Sequence, residues 1–176
     1  MGQGDEESFG DFTAAQWPSL SRTALLLVGD RGHAEDLVQT TLVKVWAVWP
    51  RIRTEAPESY ARRVLVNTVI SWRRRHWHRE RPAARLPDRA TPGDVADSVS
   101  TRAALAAALS TLPTRQRSAV VLRFAEDLSE AETARAMGCS VGNVKALTSR
   151  GLATLRAAGL RHLVHEGTPR ATGSLR

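Results

Sequence analysis

Several features that mark redox, secreted or membrane proteins are missing from this sequence of 176 residues. It has a single cysteine, Cys139, which excludes an internal disulfide and favours the cytoplasm. We interpret Cys139 as a small packing residue, because no adjacent basic residue activates its thiol. No apolar run approaches the roughly 20 residues that cross a bilayer, and the acidic start of the chain is unlike a signal peptide. The sequence therefore predicts a cytoplasmic protein without membrane contact.

Motifs of catalysis and metal binding are missing as well. There is no Walker-type glycine loop, no H-E-x-x-H and no G-x-S-x-G. The close pairs His76/His78 and His162/His165 have no third ligand type nearby, whereas structural zinc takes four ligands, usually with thiolates. No nucleophile–base or acid–base constellation can be assembled. The sequence predicts a protein that is not an enzyme and uses no cofactor, metal or small-molecule substrate.

An excess of basic residues is present. Lys and Arg total 25 against 18 Asp and Glu, for a formal net charge of +7. A basic balance favours polyanionic partners, of which nucleic acid and anionic membrane are the obvious two.

The most informative stretch, residues 128–156, has the pattern of a helix, a tight turn and a second helix. Ser129 with Glu132 forms an S-x-x-E capping box at the start of the first helix. Gly138 stands where the chain must leave that helix in a left-handed conformation. Ser140 offers an N-cap for the second helix. The pattern indicates a helix-turn-helix.

The second helix of this stretch has two different faces. Its apolar stripe consists of Val141, Val144, Leu147, Leu152 and Leu155. Its other face carries Asn143, Lys145, Thr148, Ser149 and Arg150. Short polar groups with a cation suit a helix that lies in the DNA major groove. An ordinary αα-hairpin with a solvated polar face is the alternative.

The first half of the chain predicts a compact domain of amphipathic helices over residues 1–81. Apolar spacing places helices at about 7–28, 31–49 and 57–77. Gly29 ends the first helix and Pro50 stops the second. Three tryptophans are predicted to lie in the core: Trp17, Trp49 and Trp72.

The third of these helices ends in a strongly basic run, residues 73–81, that contains Trp77. Arginines at a helix end commonly complement the negative end of the helix dipole and face solvent. An indole among arginines is also suited to single-stranded nucleic acid, because arginine holds phosphates and the ring stacks on a base. Together with a helix-turn-helix in the same chain, this favours nucleic-acid contact.

Proline and glycine interrupt any helical period over residues 82–99, which we interpret as a linker. A second domain is expected over 100–165, with a helix from Ala103 to Leu112 and another that starts at Pro113. Residues 166–176 read as a flexible tail. The predicted fold class is therefore all-α, with two small helical domains.

Three fragments of the chain resemble one family. They are GDRGHAEDLVQTTLVKVW (29–46), PESYARRVLVNTVISWRRR (57–75) and LPTRQRSAVVLRFAEDLSEAETARAMGCSVGNVKALTSR (112–150). They are similar to regions 2 and 4 of the extracytoplasmic-function (ECF) sigma factors, within the sigma-70 superfamily of bacterial RNA polymerase. The short actinobacterial, sigma-E-like branch resembles the chain most. The resemblance implies an alternative sigma factor that binds core polymerase and directs promoter recognition and transcription initiation.

The resemblance also implies roles for individual residues. Docking on the clamp helices of the largest polymerase subunit is implied for Asp36, Leu37 and Gln39. Contact with the minus-10 element is implied for Arg51, Arg53, Thr54, Asn67, Arg73, Arg74, Arg75 and Trp77. Contact with the minus-35 element is implied for Asn143, Lys145, Ala146, Ser149 and Arg150. The implied partners are core RNA polymerase, including its flap region, and promoter DNA. Members of the family are often controlled by an anti-sigma factor, while others rely on expression level or appended tails.

Two departures from the family pattern bear on specificity. Asn143 and Ala146 stand where relatives usually have threonine and serine, and Gly151 follows Arg150. The helix should still form, but the preferred bases could differ from those of relatives. Two other functions fit parts of the sequence: a stand-alone helix-turn-helix regulator, which would bind duplex DNA as a symmetric dimer, and a protein that only sequesters another factor. The docking segment in the first domain argues against the stand-alone regulator.

Overall fold

The computed structural model describes residues 3–76 and 104–158, and within these residues it contains helices and turns but no strand. This confirms the predicted all-α class. Trp77, the predicted linker (82–99) and the predicted tail (166–176) lie outside the described residues.

The helices follow one another with short connections. In chain order they are α1 (Gln3–Val28), α2 (Arg31–Trp46), α3 (Trp49–Ile52), α4 (Pro57–His76), α5 (described over 104–110), α6 (Thr114–Phe124), α7 (Glu130–Met137) and α8 (Val141–Ala157). None of the helices described here is long and apolar enough to cross a membrane.

Helices α1, α2 and α4 pack against one another through their predicted apolar stripes. The chain leaves α1 at Gly29, whose φ of +77° is accessible to glycine at little cost. The Asp30 side chain then accepts a hydrogen bond from the backbone N–H of His33 (2.9 Å) and caps α2. The buried apolar residues of these three helices include Leu20, Ala24, Leu27, Leu37, Val38, Val45, Leu65, Val66 and Val69.

An aromatic cluster joins the start of α1 to α3. The ring of Phe9 lies 4.9 Å from that of Trp46, and Phe12 lies 4.9 Å from Trp49, between ring centroids. The indole N–H of Trp49 donates to the Ser8 hydroxyl (3.0 Å), so its polar atom is satisfied inside the core. These contacts hold the first turns of α1 against the turn that follows α2.

The structure corrects several sequence-based expectations in this half of the chain. Helix α1 starts at Gln3 rather than near residue 7. Helix α2 ends at Trp46, and Pro50 lies in the first turn of α3, where its missing N–H has no helical partner to lose. Trp17 is 38% exposed, because helical geometry puts it at the edge of the buried arc of α1. Trp49 is buried as predicted, and Trp72 is half-buried against the core.

Helices α6 and α8 pack closely where Gly151 faces α6. A Cβ atom built at Gly151 would lie 2.8 Å from Cγ2 of Val120, which is closer than side chains tolerate. Val120 is itself buried, and its branched side chain has little rotamer freedom. Gly151, noted in the sequence as a departure from the family, therefore sets how near α8 comes to α6.

The two halves of the chain also pack against each other. Helix α6 contacts both α1 and α4, and α7 contacts α4. The guanidinium of Arg117, only 1% exposed, donates to the carbonyl oxygens of Leu27 (2.8 Å), Ser110 (2.8 Å) and Leu112 (3.2 Å). Leu27 lies in the last turn of α1, whose carbonyls lack helical partners. An arginine of the second half thus caps a helix of the first.

We expect Gly151→Ala to lower the free energy of unfolding by about 1–3 kcal/mol, because the added methyl group overpacks the α6–α8 contact. Urea denaturation followed by circular dichroism measures this. Gly142→Ala is the matched control, since a Cβ at Gly142 meets no atom within 4 Å, and it should leave stability unchanged or raise it by up to about 1 kcal/mol. Equal stability of Gly151→Ala and the wild type would contradict the close packing.

Candidate DNA and polymerase interfaces

The predicted helix-turn-helix is formed by α7 and α8. The Ser129 hydroxyl accepts from the backbone N–H of Glu132 (3.2 Å), and the Glu132 carboxylate accepts from the backbone N–H of Ser129 (2.8 Å), so the capping box is confirmed. Gly138 has a φ of +59°, as predicted for the helix exit. The Ser140 hydroxyl accepts from the backbone N–H of Asn143 (3.2 Å) and caps α8.

The hydrogen bonds around Ser129 also act on the Glu132 carboxyl group. Glu132 Oε2 accepts two hydrogen bonds, one from the Ser129 hydroxyl (2.6 Å) and one from the Ser129 backbone N–H. These bonds, with the hydroxyl as the larger cause, lower the pKa of Glu132 below its ordinary value of 4.5. The ionised carboxylate is therefore the form that holds the start of α7.

Helix α8 presents most of its predicted polar face to solvent, whereas the hydroxyl oxygen of Thr148 is buried. Val144, Leu147 and Leu155 are buried, while Val141 is exposed at the first turn and so does not belong to the apolar stripe. The side chains on the opposite face are exposed, or half-buried for Ala146: Asn143, Lys145, Ala146, Ser149 and Arg150. The structure brings all five predicted minus-35 residues onto one accessible helix.

Lys145 is the member of this set with an ion-pair partner. Its Nζ lies 3.5 Å from Oε2 of Glu130 in the first turn of α7, and both side chains are well exposed. Exposed ion pairs stabilise little, so this pair restrains the Lys145 ammonium only weakly.

The predicted minus-10 residues are spread over the turn before α4 and over α4 itself. Arg51, Thr54 and Asn67 are exposed. The guanidinium of Arg53 lies 3.5 Å from the carboxylate of Asp5 at the start of α1. Residues 73–75 are helical and belong to α4.

The predicted polymerase-docking residues lie on α2 with different orientations. Asp36 and Gln39 are exposed. Leu37 is fully buried at 0% exposure and packs in the core, so its assignment as a contact residue is corrected: in this structure no partner can reach it. Val43, one further turn along from Gln39, is 69% exposed. Helical spacing places Asp36, Gln39 and Val43 on one face.

Sequence reasoning missed a set of polar contacts between the two halves. The Glu126 carboxylate, in the turn after α6, accepts hydrogen bonds from the Thr23 hydroxyl and from Arg62 (3.1 Å). Glu126 is 103 residues from Thr23 and 64 from Arg62, so no local spacing pattern could have revealed these pairs.

Together these features define an all-helical DNA-binding protein whose helix-turn-helix packs on a second helical unit. The profile of Sigma-70 region 2 matches residues 17–79, and that of Sigma-70, region 4, matches residues 102–155. The chain belongs to the sigma-70 family of bacterial RNA polymerase sigma factors, in its ECF group.

Similar proteins cover nearly the whole chain. The RNA polymerase sigma-E factor of Streptomyces avermitilis is 39% identical over 89% of this chain and 87% of its own length. The sigma-E factor of Streptomyces coelicolor is 37% identical over 87% of this chain and 86% of its own length. Among solved structures, a sigma factor from Bartonella quintana in complex with its anti-sigma factor is 26% identical, with a TM-score of 0.63 over 85% of this chain and 94% of the other.

Membership of this family gives the general function of the chain. It is an alternative sigma factor that directs promoter recognition by RNA polymerase. Proteins of this class partner with core polymerase and act in transcription initiation rather than as catalysts.

We expect the Glu132 carboxylate to make the stability of the chain depend on pH. Its pKa is lowered on folding, so its contribution is present above the pKa of the unfolded chain and is lost as pH falls through the folded-state pKa. Glu132→Gln keeps the hydrogen-bond acceptor but not the charge. The stability difference between wild type and Glu132→Gln should therefore shrink as pH is lowered from neutral to below 4.5, measured by urea denaturation. A difference that stayed constant with pH would contradict the role of the ionised carboxylate.

Proposed function

We propose that this sigma factor docks on core polymerase through the exposed face of α2 and reads promoters through the α3–α4 region and α8. The observation that carries the proposal is α8 itself. It is capped at Ser140, held from behind by Val144 and Leu147, and exposes Lys145 and Arg150 to solvent. A rigid helix with cations and small polar groups on its outer face is what major-groove recognition requires.

On this proposal, Asp36 and Gln39 contact the clamp helices of the largest polymerase subunit. Both side chains are exposed and lie one turn apart, so a single partner helix can reach both. Leu37 supports them from the core by fixing the rotation of α2. The second unit of the chain meets the flap region of the polymerase, as the family resemblance implies.

The minus-10 element is read where the turn residues Arg51, Arg53 and Thr54 and the α4 residue Asn67 are exposed. Polar groups in such a turn can hold a base that has left the stack, while the arginines of residues 73–75 and Trp77 hold the strand. Arg53, whose side chain is about half exposed beside Asp5, can reach a phosphate on this surface.

The minus-35 element is read by Asn143, Lys145, Ala146, Ser149 and Arg150. Arginine and asparagine match the acceptors and donors of guanine and adenine in the major groove, and the Ala146 methyl suits a thymine methyl. The free energy of these contacts, together with that of the minus-10 contacts, is used to separate the DNA strands. The chain carries out no covalent step.

We further propose a two-unit organisation over 1–81 and 100–165, action in the cytoplasm, and control by an anti-sigma factor. The similar sigma factor from Bartonella quintana forms a complex with an anti-sigma factor, which supports the last of these. An anti-sigma factor could cover the exposed face of α2, that of α8, or both.

Arg150→Ala should weaken promoter-directed transcription about tenfold, because a base or phosphate contact of arginine is lost, while binding to core polymerase is unchanged. Run-off transcription with purified core enzyme, on a promoter selected from random DNA, measures the first, and gel filtration of the complex measures the second. Arg156→Ala, also exposed but in the last turn of α8, is the control and should keep full transcription. Full transcription by Arg150→Ala would mean that the recognition face is assigned wrongly.

Asp36→Ala/Gln39→Ala should weaken binding to core polymerase about tenfold or more, since two adjacent interface side chains are removed from an exposed face. Biolayer interferometry with immobilised core enzyme measures the dissociation constant. Glu58→Ala, which removes an exposed carboxylate from the first turn of α4, should bind as the wild type does. A wild-type chain that ignored core polymerase but bound duplex DNA as a dimer would favour the stand-alone regulator instead.

A further inference from the structure

The turn between α6 and α7 places one carboxylate between two helices of the first half. Oε1 of Glu126 accepts from the Thr23 hydroxyl of α1, and Oε2 accepts from Nε of Arg62 on α4 at 3.1 Å. The Glu126 side chain is 12% exposed and that of Arg62 is 23% exposed. This pair is therefore largely withdrawn from water, unlike the pair Lys145–Glu130, in which both side chains are well exposed.

The local fold of the helix-turn-helix does not need this carboxylate. The turn is closed by its own bonds: Arg123 donates to the carbonyl oxygen of Leu128, and the backbone N–H of Leu128 donates to that of Leu122 (3.0 Å). Among the described residues, the hydrogen bonds of the Glu126 side chain go to the other half of the chain. Glu126 thus serves the contact between the two halves.

Arg62 stands beside the turn that is predicted to read the minus-10 element. A groove between the two halves is lined by Glu55, Arg62 and Arg63 on one side and by Leu128, Glu132 and Arg135 on the other, so one carboxylate from each half also faces it. Helix α7 therefore lies next to the start of α4 and the preceding turn, which contains Arg53 and Thr54. A DNA strand that followed this turn onto α4 would meet α7 and the α6–α7 turn first.

A carboxylate and a phosphate are alternative partners for the same guanidinium. Both accept charge-assisted hydrogen bonds from arginine, in similar geometry. We propose that Arg62 is a further contact to the promoter backbone near the minus-10 element, and that Glu126 holds this site in the free chain in place of a DNA phosphate. This inference rests on the proposed function.

The exchange requires the two halves to separate. Moving α7 off α4 breaks the Arg62–Glu126 pair and frees Arg62 for a phosphate, and it strains the Arg117 bond to the α1 carbonyl of Leu27. The apparent DNA affinity of the free chain is then reduced by the fraction of molecules that are open. Loss of the Glu126 charge should raise that fraction.

The test compares three variants of the full chain without polymerase: Glu126→Gln, Arg62→Gln and Asp127→Asn. Asp127→Asn is the matched control, because it removes the same charge from the neighbouring, exposed residue, and asparagine tolerates the positive φ of 48° there. Small-angle X-ray scattering gives the radius of gyration, and fluorescence anisotropy with a labelled oligothymidylate gives the affinity for single-stranded DNA. Far-ultraviolet circular dichroism verifies that helicity is retained.

Glu126→Gln should increase the radius of gyration and bind the oligonucleotide roughly threefold or more tightly than Asp127→Asn. Arg62→Gln should open the chain in the same way without this gain. In a plot of log affinity against log salt concentration, the negative slope for Arg62→Gln should be shallower by about 0.7 than the slope for Glu126→Gln. This is the change expected for one lost phosphate contact on a single strand.

The inference is overturned if Glu126→Gln binds no more tightly than Asp127→Asn, or if Arg62→Gln binds as tightly as Glu126→Gln. Should Glu126→Gln lose helicity, Thr23→Val takes its place, since it removes the Thr23 bond to Glu126 and keeps the Glu126 charge. The other bond that it removes, to the Ser19 carbonyl oxygen, lies within α1. A gain in oligonucleotide binding by Thr23→Val then supports the exchange, and no gain contradicts it. If the chain supports transcription by polymerase but fails these tests, only the role of Arg62 and Glu126 is overturned. If the chain does not bind polymerase, the proposed function is overturned.

Discussion

The position of the helix-turn-helix in this structure depends on the buried guanidinium of Arg117. Burying a charge is costly unless it is well hydrogen-bonded, and the two terminal nitrogens of Arg117 donate to three carbonyl oxygens from two parts of the chain. The carbonyl of Leu27 belongs to the end of α1, and those of Ser110 and Leu112 precede α6. The start of α6 is thereby held at the end of α1. Because α7 and α8 follow α6 closely in the chain, the direction of α6 determines where they and Glu126 lie.

The three surfaces that matter to a sigma factor are not equally accessible in this arrangement. Asp36 and Gln39 on α2 and the polar face of α8 are open to solvent, whereas α7 lies beside the turn before α4. The proposed polymerase and minus-35 surfaces can therefore be engaged before the halves separate. The proposed phosphate contact of Arg62, which Glu126 occupies here, needs the separation first.

Features that depend on neighbouring residues were predictable at the level of single side chains. The capping box of Ser129 and Glu132, the left-handed Gly138 and the Ser140 cap all appear where the sequence placed them. Each is decided within one turn of backbone, where side-chain oxygens compete for a few orphan N–H groups.

Errors arose where a residue's environment depends on how whole elements pack. Leu37 belongs to a segment whose family role is docking, yet its own side chain points into the core. Trp17 follows the helical period but lies at the edge of the buried arc. Pro50 was read as a stop, although the first turn of a new helix accepts proline equally well. The sequence pattern cannot distinguish buried from exposed positions here. It gives the periodicity of a helix face, but not which other element packs against that face.

The sequence by itself determined the all-α class, the helix-turn-helix with its caps, and the family, since all three rest on local spacing and on short motifs such as residues 29–46 and 112–150. The tertiary structure alone decided how the two halves meet. The contacts of Arg117 with Leu27 and of Glu126 with Thr23 and Arg62 join residues that are 64 to 103 positions apart. Such pairs leave no periodic signal, because they form only once the apolar faces of α1, α4 and α6 have packed together.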